Sequence, residues 1–404
     1  MTAFARVQLG LSAVAWACIP LFPAFITLTN VAFPGVSVIP VPLAIGLMAL
    51  MLAFAIVLLI WFAVMRGAGA PWPLKWPMLA LLAASVIALL FGLNWRDGSV
   101  FVVILAMVVL WNAHIGRFAP VLPGYLRSVW WGFLMSGTLA CAAAIGMVLT
   151  RSPAELYRIA NGRAVGTFVL PGELAGYCIF LVPIAYAIAR TAQNAALRAL
   201  AWSACVLGAI TMVLTFSRTG WVGLAVAIGV LVAVRSPRGG LLRAAAVIAA
   251  ALAVVLMFFN EHHNPSENYT RISIWQAAIG VINRFPLTGV GPFGFSKIYP
   301  YVRMPDGDAT AFHAHSLYLT FFAELGIVGF LAFLWVLAAF ARALVKRLQN
   351  AAAPSAFVAL AIAAGVAGAL VQGLIDTVSV VIFGLLFPML ALALAVAQSP
   401  RVEA

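Results

Sequence analysis

Two histidines, His313 and His315, stand in the run Phe312-His313-Ala314-His315-Ser316-Leu317. Imidazole changes charge near neutral pH, so one such ring can take the proton of an attacking hydroxyl, a service worth about 10²–10⁴ in rate. A His-x-His pair could also hold zinc, but that needs further Cys, His or carboxylate ligands. The candidates nearby, His262, His263, Asp306 and Asp308, follow no recognised ligand spacing. A plainer reading makes the pair interfacial histidines capping a helix that begins at Ser316. Acids are few. Asp376 lies in Gln372-Gly373-Leu374-Ile375-Asp376 and could orient a histidine, pair with an arginine, or sit in an ordinary turn. Glu324 reads as a residue paired inside the bundle. No Asp-x-Asp or similar carboxylate cluster accompanies these residues, although metal-dependent glycosyl or phosphoryl transfer needs one. The expectation is therefore a site with no metal and no cofactor.

Arginines complete the set: Arg163, Arg218 and Arg271. Their planar forks bind phosphate through paired hydrogen bonds and neutralise charge growing on a leaving diphosphate. Several arginines with one histidine suit a substrate that brings its own phosphates. Arg218 is the most pointed of them. It sits in Leu214-Thr215-Phe216-Ser217-Arg218-Thr219-Gly220-Trp221 with apolar helix on both sides, where a cation costs roughly 2.5–3.5 kcal/mol at mid-membrane and less near the interface.

The elements that hold these residues are membrane spans. The 404 residues are 65% hydrophobic and only 8% charged, whereas charged residues make up about a quarter of a soluble globule. Apolar runs of about 20 residues are long enough to cross ~30 Å of hydrocarbon. The fold class is all-α, polytopic, with twelve candidate spans near 8–29, 42–65, 77–93, 98–113, 129–149, 171–189, 199–216, 220–234, 242–259, 316–341, 354–375 and 380–397. The whole of 1–404 is one transmembrane domain, and 260–315 is a large outer loop within it carrying part of the site. The first run is too long for a signal-peptide core and lacks a small-residue cleavage site, so no cleaved leader is expected. Cys18, Cys141, Cys178 and Cys205 are scattered through apolar runs and read as packing residues.

An even number of spans puts both termini on one side. With that side cytoplasmic, most of the 23 Lys and Arg fall in inner segments, and every inner connection carries at least two. The net charge of +13 is thus a matter of membrane orientation, and no nucleic-acid partner is implied. Of the basic residues left outside, all but Arg96 cluster in three places: Arg151, Arg158 and Arg163; Arg218; and Arg271, Arg284, Lys297 and Arg303. In the long loop, Asn264-Pro265-Ser266-Glu267 is a helix start. Ile272, Trp275, Ile279 and Ile282 then follow a helical period until Pro286. This predicts an amphipathic helix at the outer interface, with Arg271 and Trp275 one turn apart on a shared face. The glycines of Leu287-Thr288-Gly289-Val290-Gly291 lack the Lys-Ser/Thr of a nucleotide loop, and a tight turn is the better reading.

Taken together, these elements carry a resemblance. His315-Ser316, nine residues, Gly326, two residues and Gly329 resembles the signature of the O-antigen ligase and O-antigen polymerase superfamily. Ser217-Arg218, Arg271 to Trp275 with Pro286 to Gly291, and Arg163 to Phe168 resemble three further family elements, although Pro171-Gly172-Glu173 replaces the commoner Pro-Asn. The resemblance implies metal-independent, inverting transfer of a glycan from undecaprenyl diphosphate at the periplasmic face of a bacterial inner membrane. It implies His315 as the base, Arg218, Arg271 and Arg163 on the donor diphosphate, and Asp376 as an orienting acid. A ligase would use lipid A-core as acceptor. A polymerase would extend the glycan on its carrier, and a third relative glycosylates proteins. The single large loop before span ten favours the ligase. A polysaccharide or lipid transporter with an arginine-lined vestibule is the alternative of another class; it predicts midplane charges and an internal repeat, and the sequence has no repeat between its halves.

Overall fold

The computed structural model describes residues 3–21, 71–168, 170–235, 239–259, 265–305, 307–350 and 353–376. Thirteen α-helices and no strand occur among them: α1 (Ala3–Cys18), α2 (Lys75–Leu90), α3 (Trp95–Phe118), α4 (Tyr125–Thr150), α5 (Ala154–Ile159), α6 (Pro171–Thr191), α7 (Ala195–Leu214), α8 (Arg218–Arg235), α9 (Gly240–Phe259), α10 (Pro265–Arg284), α11 (Phe295–Val302), α12 (Leu317–Asn350) and α13 (Ala353–Gln372). Six of them, α3, α4, α6, α7, α12 and α13, are long and apolar enough to cross a membrane. Shorter apolar helices lie within α1, α2, α8 and α9. The chain is an all-helical, multi-pass membrane protein. The expected spans 42–65 and 380–397 lie outside the described residues.

Helix α6 is the centre, buried almost continuously from Leu174 to Ala189 and packed by α4, α7, α8 and α13. Small residues let its neighbours close in. A Cβ on Gly368 of α13 would lie 2.3 Å from the Gly223 carbonyl of α8, the close backbone approach that drives helix association in lipid. Outward faces carry Leu139, Leu149 and Val206, each more than half exposed, as suits side chains meeting lipid.

Three features depart from the expected layout. Two short helices, α5 and α11, fall in loops that read as irregular; α11 contains Pro300, which argues against a helix when the sequence is read alone. The stripe of α10 that faces the protein is Ile274, Ala277, Ala278 and Val281, while Ile272 and Ile279 are each 50% exposed. The helix is apolar on two faces, and the larger side chains are the ones turned outward. Finally, span ten is broken. Inside α12, Gly326 has φ 63° and ψ −171°, a backbone state open in practice only to glycine.

That break organises the outer end of the bundle. It frees the carbonyls of Ala323 and Glu324, which accept from the amides of Val290 and Gly291 at 2.9 Å each. On the other side of the break, the Ile327 amide donates to the Pro286 carbonyl at 2.8 Å. The glycines serve this docking: a Cβ on Gly289 would lie 2.4 Å from the Glu324 carbonyl carbon, and one on Gly291 would lie 2.6 Å from Gly92 Cα. The Leu93 amide donates to the Val290 carbonyl, and Asn94, the N-cap of α3, donates to the Phe293 carbonyl. Residues 286–295 are thus clamped between the α2–α3 turn and the broken helix. The tight-turn reading of these glycines holds.

Candidate functional site

The site lies where α6, α8 and α12 begin and α7 and α13 end. Gln372, at the end of α13, donates to the Gly172 carbonyl in the first turn of α6 at 3.4 Å. The Leu317 amide, first in α12, donates to the Gly373 carbonyl at 2.7 Å. These two bonds tie the Gly373–Asp376 turn to two helix starts.

His315 and Asp376 come together across this junction, with Nδ1 and Oδ1 3.8 Å apart. The His315 side chain is 34% exposed and that of Asp376 19%, but Nδ1 itself is buried and has no hydrogen-bond partner among the described residues. The buried nitrogen therefore faces the acid. His315 has φ +46°, a left-handed state uncommon for a side chain of this size and found preferentially where a structure constrains function. Its carbonyl accepts from Trp275 Nε1 at 3.2 Å, and its amide donates to His313 Nδ1 at 3.2 Å. The two imidazoles stand edge to face with centroids 4.4 Å apart.

Arg271 joins them from α10, donating to the Ile375 carbonyl at 3.3 Å, next to Asp376. Arg271 and Trp275 do share a face, and it points into this junction. Burial pushes the Asp376 carboxyl up, but His315, Arg271 and His313 together outweigh it and hold the acid below its ordinary range. Burial and the neighbouring His315 lower His313 to about 3, against the opposing pull of Asp376. Both groups have depressed values in the folded protein, so unfolded chains bind more protons as the pH falls, and folding stability must drop with acid. For His313 the window runs from its ordinary 6.5 down to about 3. Thermal melting in detergent is expected to fall progressively below pH 6.5, and His313→Asn should flatten that slope; a melting temperature independent of pH across this window would refute it.

Arg218 is the first residue of α8. Ser217 is the N-cap, its Oγ accepting from the Gly220 amide at 3.2 Å, which accounts for the serine in front of the arginine. The first turns of α8 pack on α6 near Ala175 and on α13 near Gln372, so Arg218 shares the end of the bundle that holds His315. A helix N-terminus adds its own positive field to the guanidinium. Arg163 braces the same turn: its Nε donates to the Thr215 carbonyl at 2.8 Å and its Nη2 to the Phe216 carbonyl at 3.3 Å. These two donors cap the exposed end of α7.

Glu324 lies deeper. It is 2% exposed, and its carboxyl lies near the backbone of Phe293 and Phe295 at the start of α11. Among the described residues no group of three His, Cys, Asp or Glu is placed to hold a metal ion. Of the ligands considered beside the two histidines, His262, His263 and Asp306 lie outside the described residues.

Sequence reasoning missed the part played by His313, which it weighed only as half of a metal pair, and the tie between Trp275 and the His315 carbonyl. The signal for the first was the acceptor two residues before His315, the spacing of a side chain that mimics a turn.

The family model described as O-Antigen ligase matches residues 203–334. This segment runs from α7 past the break in α12 and includes Arg218, Arg271, His313, His315 and Gly326; Arg163 and Asp376 lie outside it. No curated protein matches the chain. The match supports the O-antigen ligase superfamily and, with it, a ligase or polymerase type of function on lipid-linked glycan.

Proposed function

We propose, from the likeness of residues 203–334 to the O-antigen ligase family, that this protein is a ligase. It would move O-antigen glycan from undecaprenyl diphosphate to a sugar hydroxyl of lipid A-core at the periplasmic face of the inner membrane. The observation that carries the reading is the pairing of His315 with Asp376 beside Arg271. His315 is the base. Its Nε2 takes the acceptor hydroxyl proton as that oxygen bonds to the anomeric carbon, and Asp376 stabilises the imidazolium that results, as an acid behind a histidine does elsewhere. The bond from the anomeric carbon to the diphosphate oxygen breaks on the opposite face, giving inversion, and undecaprenyl diphosphate departs. Arg218 and Arg271 hold that diphosphate and offset its growing charge, and Arg163 adds its positive charge while bracing the Arg218 turn. No step needs a metal.

The large ordered loop beside the base favours a bulky preformed acceptor, hence ligase over polymerase. Lipopolysaccharide from a host lacking this gene should run as core alone, with long glycan left on undecaprenyl diphosphate, and the ladder should return with the gene. Core carrying a single repeat unit would make the protein a polymerase. Glycan retained on the cytoplasmic side would make it a transporter.

A further inference from the structure

We propose that His313 is a positioning residue for His315, acting through its unprotonated Nδ1 as a fixed acceptor that holds the base in its left-handed backbone state. The proposal rests on the reading of His315 as the base.

Three contacts lead here. The His315 amide donates to His313 Nδ1, two residues earlier, at 3.2 Å. This is the arrangement in which Asn or Asp accepts from the amide two residues on and so stabilises a turn. From the other side, Trp275 Nε1 donates to the His315 carbonyl. Both polar groups of the His315 backbone are therefore held by side chains, at a residue whose φ of +46° would otherwise relax. The His313 ring also stands against the His315 ring at 4.4 Å, limiting rotation of the base toward the loop. Such an acceptor works only while Nδ1 carries no proton. Burial and the adjacent imidazole keep His313 neutral at any pH where the protein would work, so its proton resides on Nε2. An imidazole so weakly basic, with Nδ1 already accepting from the backbone, is a poor partner in the base's duty. What it can do is fix the base's geometry.

Three variants separate this from other roles, assayed as transfer of lipid-linked glycan by the full-length protein in detergent, each with its melting temperature. His313→Ala removes the acceptor and is expected to lower kcat about 10²-fold, the scale of a displacement of roughly 1 Å at a reacting group, with KM for the donor unchanged. His313→Asn restores an acceptor at the same place and is expected to recover activity to within about tenfold of wild type. His313→Phe keeps a ring against His315 without an acceptor and should fall with alanine. Asparagine as inactive as alanine while melting like wild type would mean that the imidazole itself is needed, and would overturn the proposal, as would alanine at the wild-type rate. Should alanine unfold, the asparagine and phenylalanine pair still decides. His315→Ala in the same assay keeps the two claims apart: if it retains activity, the assignment of the base has failed, whatever His313 does.

Discussion

His315→Ala is expected to lower the rate of glycan transfer by about 10²–10⁴-fold while leaving donor binding intact. The expected loss is large because, among the described residues, no other group stands ready to take the proton. His313 is held neutral with Nδ1 already accepting from the backbone. Asp376 is held ionised, but it sits behind the imidazole, facing its buried nitrogen, and cannot reach an acceptor on the Nε2 side. Water remains the alternative base, at the cost of the whole general-base contribution. Donor affinity should survive, since the arginines proposed to hold the diphosphate are anchored independently: Arg271 on the Ile375 carbonyl and Arg218 on a helix capped by Ser217. The check is single-turnover transfer with purified protein alongside donor binding by equilibrium titration. A rate within tenfold of wild type would remove His315 from the mechanism.

Gly326→Ala is expected to be the most destabilising single-methyl change near the site. Its φ of 63° and ψ of −171° fall in a region that costs an L-residue about 1–3 kcal/mol. The added Cβ would also meet the Leu287 carbonyl oxygen at 2.2 Å and its carbon at 2.3 Å. Neither is the movable end of a side chain, and overpacking of this kind costs a further ~1–3 kcal/mol. Together they approach the stability of a whole domain. If α12 instead straightened to accept the alanine, the amides of Val290 and Gly291 would lose the carbonyls they now bond, and the outer loop would detach. Melting in detergent should therefore drop sharply, and activity with it. Gly280, in α10, has no left-handed φ and no heavy atom within 4 Å of an added Cβ, so Gly280→Ala is the control and should be much milder. Equal melting of the two variants would refute the argument.

The sequence made the membrane class, the outer loop and the ends of most helices readable, because each rests on a local signal: apolar length, a basic flank, a Pro or an N-cap. It also singled out Arg218 as too polar for its apolar flanks, and offered His315, Arg271 and Asp376 as candidates with plainer readings beside them. What it could not provide was the pairing across long separations. The approach of Asp376 to His315 depends on a bond between Leu317 and Gly373, and backbone bonds leave no trace in side-chain type. The break at Gly326 was hidden for the same reason: a lone glycine in an apolar run reads as a small packing residue, and only the Pro286–Gly291 segment opposite it shows why the helix parts there. On α10 the helical period was legible but which face meets the protein was not, since apolar residues on two sides leave the choice to what each side meets.

The break in α12 gives the nine residues between Ser316 and Gly326 the character of a ruler. They form a short rigid rod about 14 Å long at 1.5 Å per residue, with the base fixed at one end and the clamped glycine loop at the other. Each residue added to such a rod advances it by 1.5 Å and turns it by about 100°, which would swing His315 away from Asp376 even if every contact at the far end survived. The count of residues in this stretch therefore sets the placement of His315 against Asp376 separately from their identities: substitutions that keep the rod helical and spare the Thr320 and Tyr318 hydroxyl bonds leave the gauge unchanged, and a single insertion resets it.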